Sequence, residues 1–413
     1  MKTDLDRLMS EQGLEALLVF GDAQHNAAMY YFTGGGHVSH ALLIKPRQAP
    51  AVLFHNDMER EEAARSGLQC VSFSRYPLST FLKQTGNDMQ QALSLRLQAM
   101  LRDLGITRGK VAVYGMDEIG SAWALLSRLA KDMPELEIVG DSPALPMAME
   151  TKDEAEIARI RRMGAITTRV VGRVAEWLSE SAVAADETLL KEDGTPLTVG
   201  DVKRKIHLWL VEEGVENPKD TIFAPGREAG IPHSTGTPDL PLRLGQTIVF
   251  DIFPCEAGGG YFYDFTRTWC LGYATDEAQA LYEQVKAAYD LAVRSLQIGI
   301  PFRDVHRRVC ELFESQGHPT PLHRDAPPIE GYVHSLGHGV GLNIHERPFS
   351  SLQGEEQRLN PGCVITIEPG LYYPDRGLGV RIEDTFWMRP DGTVERLAEF
   401  PHDLVLPMKR WKR

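Results

Sequence analysis

Three apolar, β-branched runs of this chain each carry a carboxylate: Thr247-Ile-Val-Phe-Asp251-Ile-Phe253, Val364-Ile-Thr-Ile-Glu368 and Val380-Arg-Ile-Glu383-Asp-Thr-Phe386. Residues of this kind mark buried strands, yet an ionised acid inside one is costly unless a cation or several hydrogen bonds meet it. The C-terminal part must therefore fold so that these acids face something positive. A fourth acid, Asp264, follows Asp251 through the turn-rich stretch Pro254-Cys-Glu-Ala-Gly-Gly-Gly260. That stretch lets two neighbouring antiparallel strands present their acids side by side. Glu368 and Glu383 repeat the arrangement around Pro369-Gly370 and Asp375-Arg376-Gly377. Taken singly, each acid reads as a surface or hydrogen-bonded group. Together they predict two hairpins, each contributing two carboxylates.

Between the hairpins lies Gly331-Tyr-Val-His-Ser-Leu-Gly-His-Gly-Val-Gly-Leu-Asn-Ile-His-Glu346, which brings in His334, His338 and His345. Four acids and one imidazole make an oxygen-rich site suited to two divalent ions, Mn2+ first, with Zn2+, Co2+ or Fe2+ as alternatives. Two such ions ~3.5–4 Å apart can share a bridging water and hold it as hydroxide for attack on a carbonyl, so hydrolysis is the expected reaction. Competing motifs fail on their own chemistry. Gly337-His-Gly-Val-Gly341 lacks the lysine and spacing of a phosphate loop, and its glycines are read as letting the backbone pass close to the metal. His345-Glu346 runs into Arg347-Pro348-Phe349, so there is no H-E-x-x-H helix, and no G-x-S-x-G elbow exists.

At 413 residues the chain is long enough for two domains. Its 43% hydrophobic and 24% charged residues are those of a packed globular protein. A net charge of -13 repels a phosphate backbone, which excludes nucleic acid as a partner. Cys70, Cys255, Cys270, Cys310 and Cys363 are odd in number and form no C-x-x-C pair, so neither a disulfide framework nor a thiolate zinc site is expected. A reducing, cytoplasmic location follows. The acidic N-terminal stretch does not read as a signal peptide, and no run approaches the ~20 apolar residues of a membrane span. The basic end Lys409–Arg413 reads as a solvated tail.

Apolar runs at Ala16–Phe20, Ala41–Ile44, Ala51–Phe54 and Val111–Tyr114, spaced by helix-like stretches, predict an α/β first third. The pattern breaks at Pro143-Ala-Leu-Pro146, and from Asp153 a stripe of Ile157, Ile160, Met163, Ile166, Val170, Val174 and Leu178 predicts a long amphipathic helix. Domains are therefore expected at 1–150 and 151–413. The polar segment from Ala184 to Gly200 reads as a surface loop or insertion.

The set Asp251, Asp264, His338, Glu368 and Glu383, within GHGVGLNIHE, IEPG and VRIED, resembles the metallopeptidase family of Xaa-Pro dipeptidase (prolidase), aminopeptidase P and methionine aminopeptidase. Asn26–Gly34 is similar to a segment of that family's N-terminal domain. The resemblance implies an α+β fold, with a C-terminal pita-bread catalytic domain preceded by a smaller α/β creatinase-like domain. It implies that Asp264 and Glu383 bridge two metals, that Asp251 chelates one, and that His338 and Glu368 complete the other. Glu368 would be the proton shuttle, and His345 would donate to the scissile carbonyl. His233 and His334 match pocket histidines that line the substrate site, and Arg381 would stand beside them and steady the acids. The implied substrate is a small peptide with proline after the scissile bond, a dipeptide first, with the longer peptides of aminopeptidase P as the alternative. A homodimer paired through the N-terminal domain is implied as well. A metal-free creatinase-type hydrolase and a non-catalytic binding module are disfavoured by the full ligand set, and methionine aminopeptidase by the N-terminal domain. The interval from Asp251 to Asp264 exceeds the family's usual one, which implies a wider hairpin tip. Arg347 and Arg358 are the candidates for holding a substrate carboxylate, and Glu256 for touching its amine, each against a surface role.

Overall fold

The computed structural model describes residues 4–323 and 326–411, so the last two residues of the basic tail lie outside the described residues. The chain divides into two compact units, one of Met1–Met149 with Gly258–Gly260, the other of Glu150–Ala257 with Tyr261–Arg413.

The first unit is built on a six-stranded sheet in the spatial order Gln69–Ser72, Val52–His55, Ala41–Pro46, Leu14–Gly21, Gly109–Gly115, Leu136–Val139. The four inner strands are those the apolar runs predict. Ala16, Leu18, Ile44, Phe54 and Val111 bury one face against Leu97, Met100 and Leu101 of the helix Met89–Asp103. The two edge strands escape the sequence reading because they are short and only partly buried, with Gln69, Ser72 and Glu137 interrupting any apolar run.

In the second unit the helix Glu154–Ser179 starts where its cap dictates. The Asp153 side chain accepts from Glu156 N while Glu156 reaches back to the Asp153 backbone, a reciprocal capping box. All seven residues of the predicted stripe are buried. The segment from Ala184 to Gly200 is more ordered than a loop. Leu189–Leu190 pairs with Ala182–Val183, Leu197 is buried, and Thr198 caps the helix Val199–Glu212. Its scattered leucines supply the anchoring that the polar residues conceal.

Small, mainly antiparallel sheets carry the predicted acids. Thr247–Ile252 lies between Ile222–Pro225 and Phe265–Leu271, with Asp251 opposite Thr266. Val364–Ile367 pairs with Asp384–Met388, and the intervening chain returns on itself as a second ladder, Gly370–Tyr373 against Leu378–Arg381. Glu368 and Glu383 therefore fall in the break between two ladders. A bridge between Thr266 and Glu383 joins the two acid-bearing sheets. Behind them, the helices Asp276–Ser295 and Phe302–Ser315 pack Val285, Val309 and Phe313 against Ile365, Ile367 and Val380. Among the described residues no helix is long and apolar enough to cross a membrane.

Candidate metal centre

The hairpin register explains how distant acids meet. The antiparallel pairing sets Asp251 and Asp264 at the same end of one hairpin, and Glu383 N donates to Thr266 O at 3.0 Å, drawing the second pair of acids to that end. His338 is fastened to the next strand: its N–H donates to Thr366 Oγ1 at 3.1 Å, and Thr366 N donates to its carbonyl at 2.8 Å. Ligand-type atoms of Asp264, His338 and Glu383 consequently all lie within 4.8 Å of one another. His338 Nε2 is 3.5 Å from Asp264 Oδ2 and 3.4 Å from Glu368 Oε1.

The centre fits divalent ions on three independent grounds. His338 Nδ1 lies 3.0 Å from its neighbour's carbonyl, Gly339 O. It is therefore the protonated nitrogen, and Nε2 is left with its lone pair facing the acids, the form in which imidazole ligates metal. Asp251 Oδ1 and Glu383 Oε1 are buried and have no hydrogen-bond partner among the described residues, although buried acceptors are normally satisfied. Finally, among the described residues Arg381 is the one guanidinium or ammonium ion-paired with this group, bonded to Asp251 at 2.6 Å, while four carboxylates converge.

Electrostatics give the same picture. Burial and then the Asp251 charge push Asp264 well above the ordinary carboxylate range. Burial and then Asp264 do the same to Glu383, and Glu368 is pushed up to about 8, chiefly by burial. His338 and His334 are both pushed down to about 3, burial again being the main cause. Added positive charge is what this cluster of acids requires to stay ionised together.

The remaining predicted residues surround the ligands. The rings of His345 and His338 meet edge to face, centroids 4.2 Å apart. His334 Nδ1 is 4.0 Å from Glu368 Oε2. His233 is exposed. Arg381 donates to Asp251 Oδ2 at 2.6 Å, Tyr372 OH at 2.8 Å, Pro232 O at 3.2 Å and Thr266 Oγ1 at 3.3 Å.

Three earlier candidates have other duties. Arg347 donates to Glu150 at 3.3 Å and Glu355 at 2.8 Å, and Arg358 donates to Gly299 O at 2.8 Å and to Glu356. Glu256 is held by both arms of Arg159, at 2.9 and 2.6 Å. It braces the hairpin tip against the long helix.

Sequence reasoning passed over two residues of the centre. Tyr372 accepts from Arg381 and donates to His334 Nε2 at 2.8 Å, the direction being fixed because His334 Nδ1 faces Ser335 O at 2.8 Å. Thr266 donates to Glu383 Oε2 at 2.7 Å. Both read as ordinary strand residues, and only the pairing of the ladders brings them to the acids.

Residues 158–390, more than half of the chain, match metallopeptidase family M24, and residues 3–145 match the creatinase/prolidase N-terminal domain. An Xaa-Pro dipeptidase of Pyrococcus horikoshii is 31% identical over 285 residues, 67% of this chain and 77% of that protein. A protein of Mycobacterium tuberculosis named "Probable dipeptidase PepE" is 31% identical over 255 residues, 62% of this chain but only 60% of its own length. The crystal structure of an X-Pro aminopeptidase from Thermotoga maritima superposes with a TM-score of 0.75 at 21% identity, covering 97% of this chain and 99% of that one, which establishes a shared fold. The α+β architecture is thus a creatinase-like domain followed by a pita-bread domain, and the chain belongs to metallopeptidase family M24.

Proposed function

We propose that this protein is a dinuclear-metal exopeptidase that hydrolyses the bond between any residue and a following proline, with Xaa-Pro dipeptides as its substrates. The observation that carries this reading is the convergence of Asp264, His338 and Glu383 beside Asp251 and Glu368, with two buried carboxylate oxygens that have no hydrogen-bond partner among the described residues. Divalent ions held there, Mn2+ first, would supply Lewis-acid activation of the scissile carbonyl and of a water. Asp264 and Glu383 would be the ligands shared by two such ions, Asp251 would belong to one of them, and His338 with Glu368 to the other. Glu368 carries the proton from the attacking water to the leaving nitrogen. Its two oxygens suit this, since Oε1 faces His338 while Oε2 faces His334. His345 donates to the carbonyl oxygen as charge develops there. His334, kept neutral by burial and oriented by Tyr372, lines the proline pocket with His233, and Arg381 holds Asp251 in place.

The names of the relatives favour a dipeptidase. The fold shared with an X-Pro aminopeptidase keeps longer Xaa-Pro-Yaa peptides as the second reading. Stripping the protein with chelator, restoring Mn2+ and following Gly-Pro, Leu-Pro and a longer Xaa-Pro-Yaa peptide separates them. Turnover confined to the dipeptides supports the first reading, cleavage of the longer peptide the second, and inertness toward all of them refutes both.

A homodimer formed through the first unit belongs to the same proposal. Met116 and Ile119 are exposed and line a groove of about 750 Å³ there, next to exposed Trp123, an apolar surface that association would cover. A cytoplasmic location accords with the cysteines, which are all free.

A further inference from the structure

The segment Glu150–Lys152 lies just ahead of the long helix, where the sequence reads only as a domain boundary. Yet Glu150 is 6% and Lys152 5% exposed. Glutamate and lysine are almost never so buried unless paired, and both are paired with the loop that carries His345. Lys152 Nζ closes on Glu346 Oε1 and donates to Glu150 O at 3.2 Å. The Glu150 carboxylate accepts from Arg347 Nε at 3.3 Å and from Asn360 Nδ2 at 3.0 Å. Alternate residues of the segment thus meet consecutive residues of the loop, acid to base and base to acid.

That loop is closed at its base by reciprocal backbone bonds between Gly339 and Glu346, both 2.9 Å. His338 and His345 adjoin the two sides of this closure, which sets the edge-to-face contact of their rings. The ion pair occupies space the loop reserves for it: a Cβ on Gly341 would lie 2.3 Å from Glu346 Oε1 and 2.8 Å from Lys152 Cε. The same segment is tied to the strand that leads to Glu368, through Lys152 N to Gly362 O at 2.9 Å and a bridge from Thr151 to Cys363.

We infer that Lys152, acting through Glu346, is a positioning residue that fixes the mutual placement of His338 and His345, with Glu150 and Arg347 as a second clamp on the same loop. The inference rests on the hydrolytic reading above for its catalytic consequence, but its geometric content stands apart from it. A buried ion pair can often be replaced by apolar residues without loss of stability, whereas removing one partner strands a charge. The double variant Lys152→Met/Glu346→Leu therefore separates holding the fold from holding the histidines, and Lys152→Met alone provides the comparison.

Chelator-treated protein labelled with 13C-histidine is observed by NMR, the His338 and His345 signals being assigned with single variants. The double variant is expected to melt within a few degrees of the parent while both signals lose the shifts that ring contact imposes, with His306 and His334 unmoved. With Mn2+ restored and Leu-Pro as substrate, kcat should fall about 100-fold at nearly constant KM, the scale set by a misplacement of about 1 Å. In a His345→Ala background the same double change should lower kcat by less than about threefold, because the two act on one group. Unmoved histidine signals and unchanged kcat in a folded double variant would overturn the inference. If the parent hydrolyses no Xaa-Pro peptide, the hydrolytic reading fails, and the NMR result still decides whether the pair sets the rings. Should the double variant not fold, Lys152→Arg, which keeps the charge at an altered length, is read by the same signals.

Discussion

At the scale of single residues, the centre depends on side chains that no isolated feature would distinguish from surface acids. Asp264 is the acid nearest to His338 Nε2 after Glu368, and it belongs to the three-residue cluster with Glu383. Asp264→Asn, which removes one charged oxygen from the proposed bridging position, should abolish stoichiometric binding of the two proposed ions. Elemental analysis of the purified variant after Mn2+ loading measures this, and parent-like metal content would contradict the bridging role. Arg381 uses its planar fork to reach Asp251, Tyr372, Thr266 and a backbone carbonyl simultaneously. A lysine ammonium cannot span these partners. Arg381→Lys is therefore expected to reduce kcat/KM by about 10- to 100-fold, corresponding to the ~1.5–3 kcal/mol of a charged hydrogen bond. Steady-state kinetics on Leu-Pro provides the check.

At the scale of elements, the centre is a product of register. His338 takes part in a ladder-like contact with Thr366, and Gly337 makes this close approach possible: a Cβ there would lie 2.1 Å from Thr366 O. Gly337→Ala must push the histidine strand away from Val364–Ile367. A loss of about 3 kcal/mol, the upper range for overpacking, should appear as a lower urea midpoint together with weakened Mn2+ binding. A parent-like midpoint would mean that the strands can separate freely. The same logic applies to the break between the ladders. Had Glu368 and Glu383 stayed in register as one continuous hairpin, period-two alternation would fix which face each acid takes. Their position between two ladders frees both to turn toward His338 and Asp264.

At the scale of the whole molecule, the clustered acids make the metal-free protein pay an electrostatic cost that bound cations relieve. Ligand that binds only the folded state stabilises by about 2.7 kcal/mol at 100 times its Kd. Chelation should accordingly lower the melting temperature by about 5 °C or more, with recovery on Mn2+ addition and none on Na+ at equal ionic strength. An unchanged melt would argue that the cluster holds no ion. For the proposed dimer, Ile119→Lys combined with Trp123→Lys should convert the sedimenting species to monomer while leaving the second unit's metal content intact.

The amino-acid sequence by itself determined the hydrophobic periods, the start of the long helix at Asp153, the inner strands of the first unit and the residue types of the candidate metal centre. Those are local properties, readable because a buried acid in an apolar strand is energetically conspicuous wherever it occurs. Tertiary structure alone decided which partners these residues meet. Tyr372 and Thr266 look like strand filler until two ladders are brought together, and Glu150 and Lys152 look like a boundary until the loop of His345 closes over them. The physical reason is that hydrogen bonds and ion pairs act over a few ångströms in space, whereas the residues forming them, such as Lys152 and Glu346, are separated by most of the second unit in sequence.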